Sequence, residues 1–282
     1  MIFIILALIG VVGLILASYF DIKTREIPNI ISFTMIALGL GLRLIYSVIN
    51  KEIMFFVYGL LAFGIFFLFG VLMYYTKQWG GGDTKLLMAL GALFGTWSTD
   101  YFLLSLIITL IFVAAVYGLV WAVYLTIKNY RKFSKIFKQI YYNKKIQTII
   151  ISVFAVLLIL VSLIIEDKTL GFVLTIMAFL VLIYYYLLIY LKVVEKACME
   201  KTIPVSKLTE GDWVIHDVKK GNKLIYSKKY NITKKHIEIL NKYKIKEVTI
   251  KEGFPFVPAF LLALIINFLI SKILVRFLLS FM

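Results

Sequence analysis

The chain has 282 residues, of which 62% are hydrophobic and only 16% charged, a balance outside that of soluble globular domains. Its formal net charge of +16 would suit nucleic acid, but the basic residues fall in short stretches between apolar runs, where they set membrane orientation and meet anionic lipid headgroups; no nucleic-acid partner is expected. A single cysteine, Cys198, excludes an intrachain disulfide, and with no paired-cysteine pattern neither a metal site nor a cofactor is expected.

A helix needs about 20 apolar residues to cross the hydrocarbon core of a bilayer. On that measure the sequence predicts an all-α polytopic membrane protein, a bundle of about eight transmembrane helices near 1–20, 29–49, 53–75, 84–98, 101–127, 148–165, 169–191 and 256–276. The first run starts without a basic residue and ends in Asp21-Ile22-Lys23-Thr24-Arg25 with no small-residue cleavage site, so it reads as a retained span. The fourth is short and carries Gly91 and Gly95, a small-residue spacing that lets helices approach closely, which predicts a helix tilted or packed inside the bundle. Lys23, Arg25, Lys77, Lys85 and the basic run over 128–145 share one side of the membrane, the cytoplasmic one, and Glu52, Asp100, Glu166 and Asp167 the other. Lys272 and Arg276, at the outer end of the last span, run against that rule, although long side chains can snorkel to an interface. Between Glu195 and Gly253 hydropathy collapses; strand-like runs at 213–216 and 247–250 and a helix-like stretch at 234–242, with an N-cap offered by Asn231-Ile232-Thr233, predict a small cytoplasmic α+β insert. The expected organisation is spans at 1–127 that carry Asp21 and Asp83, a basic loop at 128–147, further spans at 148–194, the insert at 195–253 and a last span at 254–282.

From Met1 to Val161 there are five carboxylates, and the topology sends Glu52 and Asp100 outward while Asp21, Glu26 and Asp83 stay inside. Asp21 ends the first span and Asp83 begins the fourth, so both lie at one depth and meet if those spans pack together. A carboxylate beside hydrocarbon is costly to ionise and is rarely kept without a partner or a task. Two aspartates within reach share one proton: the ionised member activates water and the protonated one polarises a peptide carbonyl. Gly80-Gly81-Gly82 before Asp83 offers unusual backbone angles and close approach for an extended peptide. Taken alone, each aspartate reads as a helix cap or a solvated interface residue; together they read as a catalytic pair. Glu26 reads as a headgroup-level charge. Ile27-Pro28-Asn29 starts the second span, with Pro28 near its first turn.

Asp21-Ile22-Lys23-Thr24-Arg25-Glu26-Ile27-Pro28-Asn29 and Gly80-Gly81-Gly82-Asp83-Thr84-Lys85 resemble the two motif blocks of the type IV prepilin and archaeal preflagellin peptidases, membrane aspartic proteases of the GxGD type. Gly80, Gly82, Asp83 and Lys85 fall on the motif positions; Pro255-Phe256-Val257-Pro258 is similar to the proline-bearing start of the family's last helix. The resemblance implies cleavage of short basic leaders from pilin-like or archaellin precursors at the cytoplasmic face, with Asp21 and Asp83 catalytic and Gly80, Gly81, Gly82, Lys85, Pro255 and Pro258 shaping the substrate site. The cysteine cluster of bacterial members is missing, so no methyltransferase activity is expected, and the Lys- and Ile-rich sequence with its insert resembles an archaeal member.

Other membrane proteases need residues this chain lacks. A zinc protease needs a His-Glu-x-x-His helix and a rhomboid a histidine within a span, whereas His216 and His236 both fall in the insert. A presenilin-like protease remains an alternative, as does a transporter or scaffold, for which Asn267 deep in a span and Arg43 towards an outer end are the only polar candidates.

Overall fold

A computed structural model describes residues 1–76, 79–95, 102–221, 223–228 and 232–279, the last eight of these by their backbone alone. Lys77, Asp100 and Asn231 lie outside the described residues, as do the side chains of Lys272 and Arg276. The chain is a polytopic helical membrane protein with a small strand-containing insert. Among the described residues six helices are long and apolar enough to cross a membrane. It divides into two compact units, residues 1–120 with 253–282, and residues 121–252.

The first unit is built from α1 (Ile2–Thr24), α2 (Asn29–Asn50), α3 (Ile53–Tyr75), α4 (Gly81–Phe94), the first part of α5 (Phe102–Lys128) and α10 (Val257–Leu279). Apolar side chains ring most of these helices, so helix formation leaves two kinds of apolar face. Leu8, Ile15, Phe33 and Leu68 stay exposed as lipid-facing surface, whereas Leu6, Leu14, Phe66, Leu86, Leu90, Leu93, Leu110, Phe260 and Leu264 make one core. The short α4 supplies much of that core and is packed inside the unit, with every residue from Ala89 to Phe94 buried. Its fit depends on small residues: a Cβ on Gly91 would stand 2.7 Å from the Ala62 carbonyl of α3, and one on Gly70 of α3 would stand 2.5 Å from Thr84 of α4. Pro28 precedes α2, and Arg25, in the left-handed conformation at φ 61°, closes α1 with its N–H donating to the Asp21 carbonyl.

In the second unit α7 (Lys145–Ile164) and α8 (Lys168–Val194) pair, with polar contacts at both ends. Ser162 Oγ meets Thr175 Oγ1 at 2.9 Å, Thr148 Oγ1 meets the Tyr185 hydroxyl at 3.1 Å, and Asp167 accepts from the Thr169 and Leu170 N–H groups as the N-cap of α8. Inside the basic stretch read as loop lies α6 (Tyr130–Asn143), which turns Phe133, Ile136 and Ile140 onto Ala122, Ile189 and Val193 and leaves Arg131, Lys132, Lys135 and Lys138 exposed. The insert holds β1 (Glu200–Pro204), β2 (Trp213–Val214), β3 (Val218–Lys220), β4 (Lys223–Tyr226), α9 (Lys234–Lys242) and β5 (Glu247–Lys251). Antiparallel pairing gives the order β1-β5-β2, with β3 and β4 as a separate hairpin, over a core of Val205, Val214, Tyr226, Leu240, Val248 and Ile250. Thr233 is the N-cap residue of α9, and its N–H donates to His236 Nδ1.

Candidate functional site

Asp21 stands in the last turn of α1 and is buried. A buried carboxylate needs donors. The Val257 N–H, the first of α10, donates to Asp21 Oδ2 at 2.9 Å. The opening N–H groups of a helix have no partner within it, and the helix dipole favours negative charge there. Asp21 therefore caps α10 from 236 residues away in sequence. Pro258 follows in the first turn, where its missing N–H costs nothing, and Pro255 is buried just before the helix.

Asp83 lies in the first turn of α4, half-buried, and reaches back to accept the Gly80 N–H on Oδ2 at 3.1 Å. That is one half of a capping box, the half a glycine leaves possible. Gly80 is extended at φ −74° and ψ 162°, and Gly81 and Gly82 are helical. The unusual backbone angles expected of the glycine run are not used; among the described residues the positive-φ glycines are Gly211 and Gly221 in the insert. The constraint is close approach. A Cβ on Gly82 would stand 2.7 Å from Ile27 Cδ1 and 3.1 Å from Ile27 Cβ, whereas one on Gly81 meets only Tyr74, at 3.8 Å. Gly82 thus packs the start of α4 against the Ile27-Pro28-Asn29 segment.

A second contact joins the same two segments. Lys85 Nζ donates to Asn29 Oδ1 at 2.6 Å and lies 5.7 Å from the centre of the Phe33 ring. Asn29 is eight residues beyond Asp21 and Lys85 two beyond Asp83, so the bond closes the pair of aspartate-bearing segments onto each other. The Asp21 carboxylate lies within electrostatic reach of Asp83 and of Tyr117 on α5. Beside them Trp79 packs edge-on against Phe69 and Phe260 and tilted on Phe256, an aromatic wall shared by α3, α10 and the segment before α4. Lys85→Met is expected to lower the leader cleavage that the motif resemblance implies about tenfold, the scale of one charge-assisted hydrogen bond at a partly exposed site, and Asn29→Ala to do much the same. Assays of the single and double variants check this; equal losses that do not add mark one shared interaction.

Both aspartates, the three glycines, Lys85 and the two prolines thus fall in one region of the first unit. Asn29 as the partner of Lys85, the Val257 N–H and Trp79 were not singled out by sequence. Asn29 lies in the first motif block and Pro258 marks a helix start, which are the only signals that point to them. Glu26 is exposed, with no carboxylate contact to the pair among the described residues.

Residues 8–123 match the model of the Type IV leader peptidase family. That stretch holds Asp21, Asn29, Trp79, the glycine run, Asp83 and Lys85, and excludes Val257 and both prolines. A preflagellin peptidase of Methanocaldococcus jannaschii is 35% identical over 86 residues, 30% of this chain and 36% of its own length. One from Methanococcus voltae is 41% identical over 85 residues, again 30% of this chain and 36% of its own. The prepilin peptidase EppA of Methanothermobacter thermautotrophicus is 35% identical over 77 residues, 27% of this chain and 20% of its own. The chain thus spans about a third, or less, of the length of these curated relatives. No solved structure matches it.

Proposed function

We propose that the chain is a membrane aspartic endopeptidase that removes short basic leaders from pilin-like or archaellin precursors, with Asp21 and Asp83 as the catalytic pair. One observation carries this: the two motif segments, far apart in sequence, meet through the Lys85–Asn29 hydrogen bond and the packing of Gly82 on Ile27, with both carboxylates beside that junction. The family match and the names of the relatives support the leader-processing part.

In the reaction one carboxylate is ionised and the other carries the shared proton. The ionised member takes a proton from water as the water oxygen bonds to the peptide carbonyl carbon, and the protonated member gives its proton to the carbonyl oxygen. The resulting gem-diol collapses as the amide nitrogen takes the first proton and the C–N bond breaks; a gem-diol hydroxyl returns its proton to the second carboxylate. Donors that fix both oxygens beforehand lower the cost of organising this arrangement. The catalytic part is residues 1–127 with the last helix, from 254 onward. The site faces the cytoplasm, because Lys23, Arg25 and Lys85 flank it and basic residues favour that side. The same rule puts α6 there, where Lys128, Arg131, Lys132, Lys135, Lys138, Lys144 and Lys145, with no carboxylate among them, suit anionic headgroups.

Membranes containing the chain are expected to convert an added pilin-type precursor to a species shorter by its leader. An unchanged precursor in membranes where the chain has accumulated would contradict the peptidase reading.

A further inference from the structure

Arg43, in the C-terminal half of α2, is fully buried, and the carboxylate pair makes no use of it. A guanidinium inside a bundle is costly unless acceptors meet its donors, and here both Nη atoms have one while the buried Nε has none among the described residues. Its Nη1 donates to the Phe55 carbonyl in the first turn of α3 at 2.8 Å and its Nη2 to the Leu93 carbonyl in the last turn of α4 at 2.7 Å, with the guanidinium 4.4 Å from the centre of the Phe55 ring. Gly59 of α3 makes the room: a Cβ there would stand 2.5 Å from Arg43 Cδ. One turn on, Ser47 Oγ accepts the Phe56 N–H, so α2 also holds the start of α3.

The reason for this arrangement lies in α4. Its 14 residues rise about 21 Å, short of the roughly 30 Å hydrocarbon core. Its last carbonyls have no partner within the helix and end among buried side chains. A cation is the favoured occupant of a helix C-terminus. We propose that Arg43 is a positioning residue: by capping the C-terminus of α4 from α2 while anchored on α3, it fixes the axial position of α4 and so the depth at which Asp83 meets Asp21. At its other end α4 is tied by Lys85 to Asn29 of α2 and by Thr84 Oγ1, which donates to the Gly70 carbonyl of α3 at 3.2 Å, whereas its middle meets α2 and α3 through small residues and apolar side chains, so Arg43 supplies the polar tie at the C-terminal end. The catalytic consequence rests on the peptidase reading; the positional one does not.

The test therefore has two readouts. Helices α1 and α4 are antiparallel, with Gly10 against the Phe94 ring, which sets Ser18 level with Leu86 and Leu87. In a Cys198→Ser background, Ser18→Cys and Leu87→Cys place one thiol on each helix, and the disulfide yield under oxidant reports α4 position. Arg43→Met, which keeps the stem and loses the donors, is expected to cut disulfide yield at least threefold and to lower kcat at least tenfold per folded molecule, with KM changed less than twofold. Arg43→Lys, whose single ammonium cannot hold two divergent carbonyls, is expected to fall between, and it decides the matter by the same readouts if the methionine variant does not accumulate. Unchanged disulfide yield in the variants overturns the proposal, and so does unchanged kcat per folded molecule where the parent cleaves. If the parent does not cleave, the peptidase reading fails and the disulfide yield alone still decides the role of Arg43.

Discussion

Asp83→Asn is expected to abolish leader removal, and Asp21→Asn to do the same, while both variants insert and accumulate. Asparagine keeps the shape of the carboxylate and its capacity to accept one backbone N–H, from Gly80 at position 83 and from Val257 at position 21. It can neither take a proton from water nor share one with its neighbour. Loss of positioned proton transfer costs about 10²- to 10⁴-fold, and either change removes both halves of the relay at once. A helix cap, by contrast, is worth about 1 kcal/mol, a loss that appears in stability and leaves turnover per folded molecule near the parent. Precursor conversion with the variants quantified in membranes separates these outcomes, and substantial conversion by either one removes the pair from the mechanism.

Gly82→Val is expected to lose nearly all cleavage although it touches no proton. The added atoms meet Ile27 at well below contact distance, so either the start of α4 moves away or Ile27 does, and both shift one aspartate-bearing segment against the other. Overpacking of this kind costs about 1–3 kcal/mol, and a displacement near 1 Å is enough to cost about 10²-fold in rate. Gly81→Ala, whose Cβ meets only Tyr74, is expected to stay within about threefold of the parent. Because the cause is a side-chain clash and not a backbone angle, Ile27→Ala should restore part of the activity of Gly82→Ala. Failure of that rescue, with both proteins folded, would point to a requirement of the glycine backbone instead.

Much of this was legible in the sequence because hydropathy sets spans and a carboxylate beside hydrocarbon stands out against them. Each of the eight apolar runs holds a helix among its described residues, with 96–98 and 101 outside them, and the short fourth run lies inside the first unit as its glycine spacing suggests. The basic stretch at 128–147 hid α6, since its lysines and arginine dominate hydropathy while the helical spacing of Phe133, Ile136, Phe137 and Ile140 does not. The glycine run shows the limit of local reasoning: sequence assigns it backbone freedom, whereas the structure uses Gly82 for close approach to a segment more than fifty residues earlier. Likewise nothing local says that Asp21 caps α10 or that Lys85 finds Asn29; such pairs arise from bundle packing, which hydropathy does not encode. Arg43, read as lying towards an outer end, meets the first turn of α3 and the last turn of α4, and among the described residues it is the largest fully buried side chain, which hydropathy alone does not indicate.

The most direct test is cleavage by the purified chain in detergent of a precursor peptide carrying a basic leader, followed by mass spectrometry of both products. The result expected is a single cut at the leader boundary by the parent and none by Asp21→Asn or Asp83→Asn at equal folded concentration. Uncut peptide with the folded parent, or the same cut with either aspartate replaced, would contradict the account.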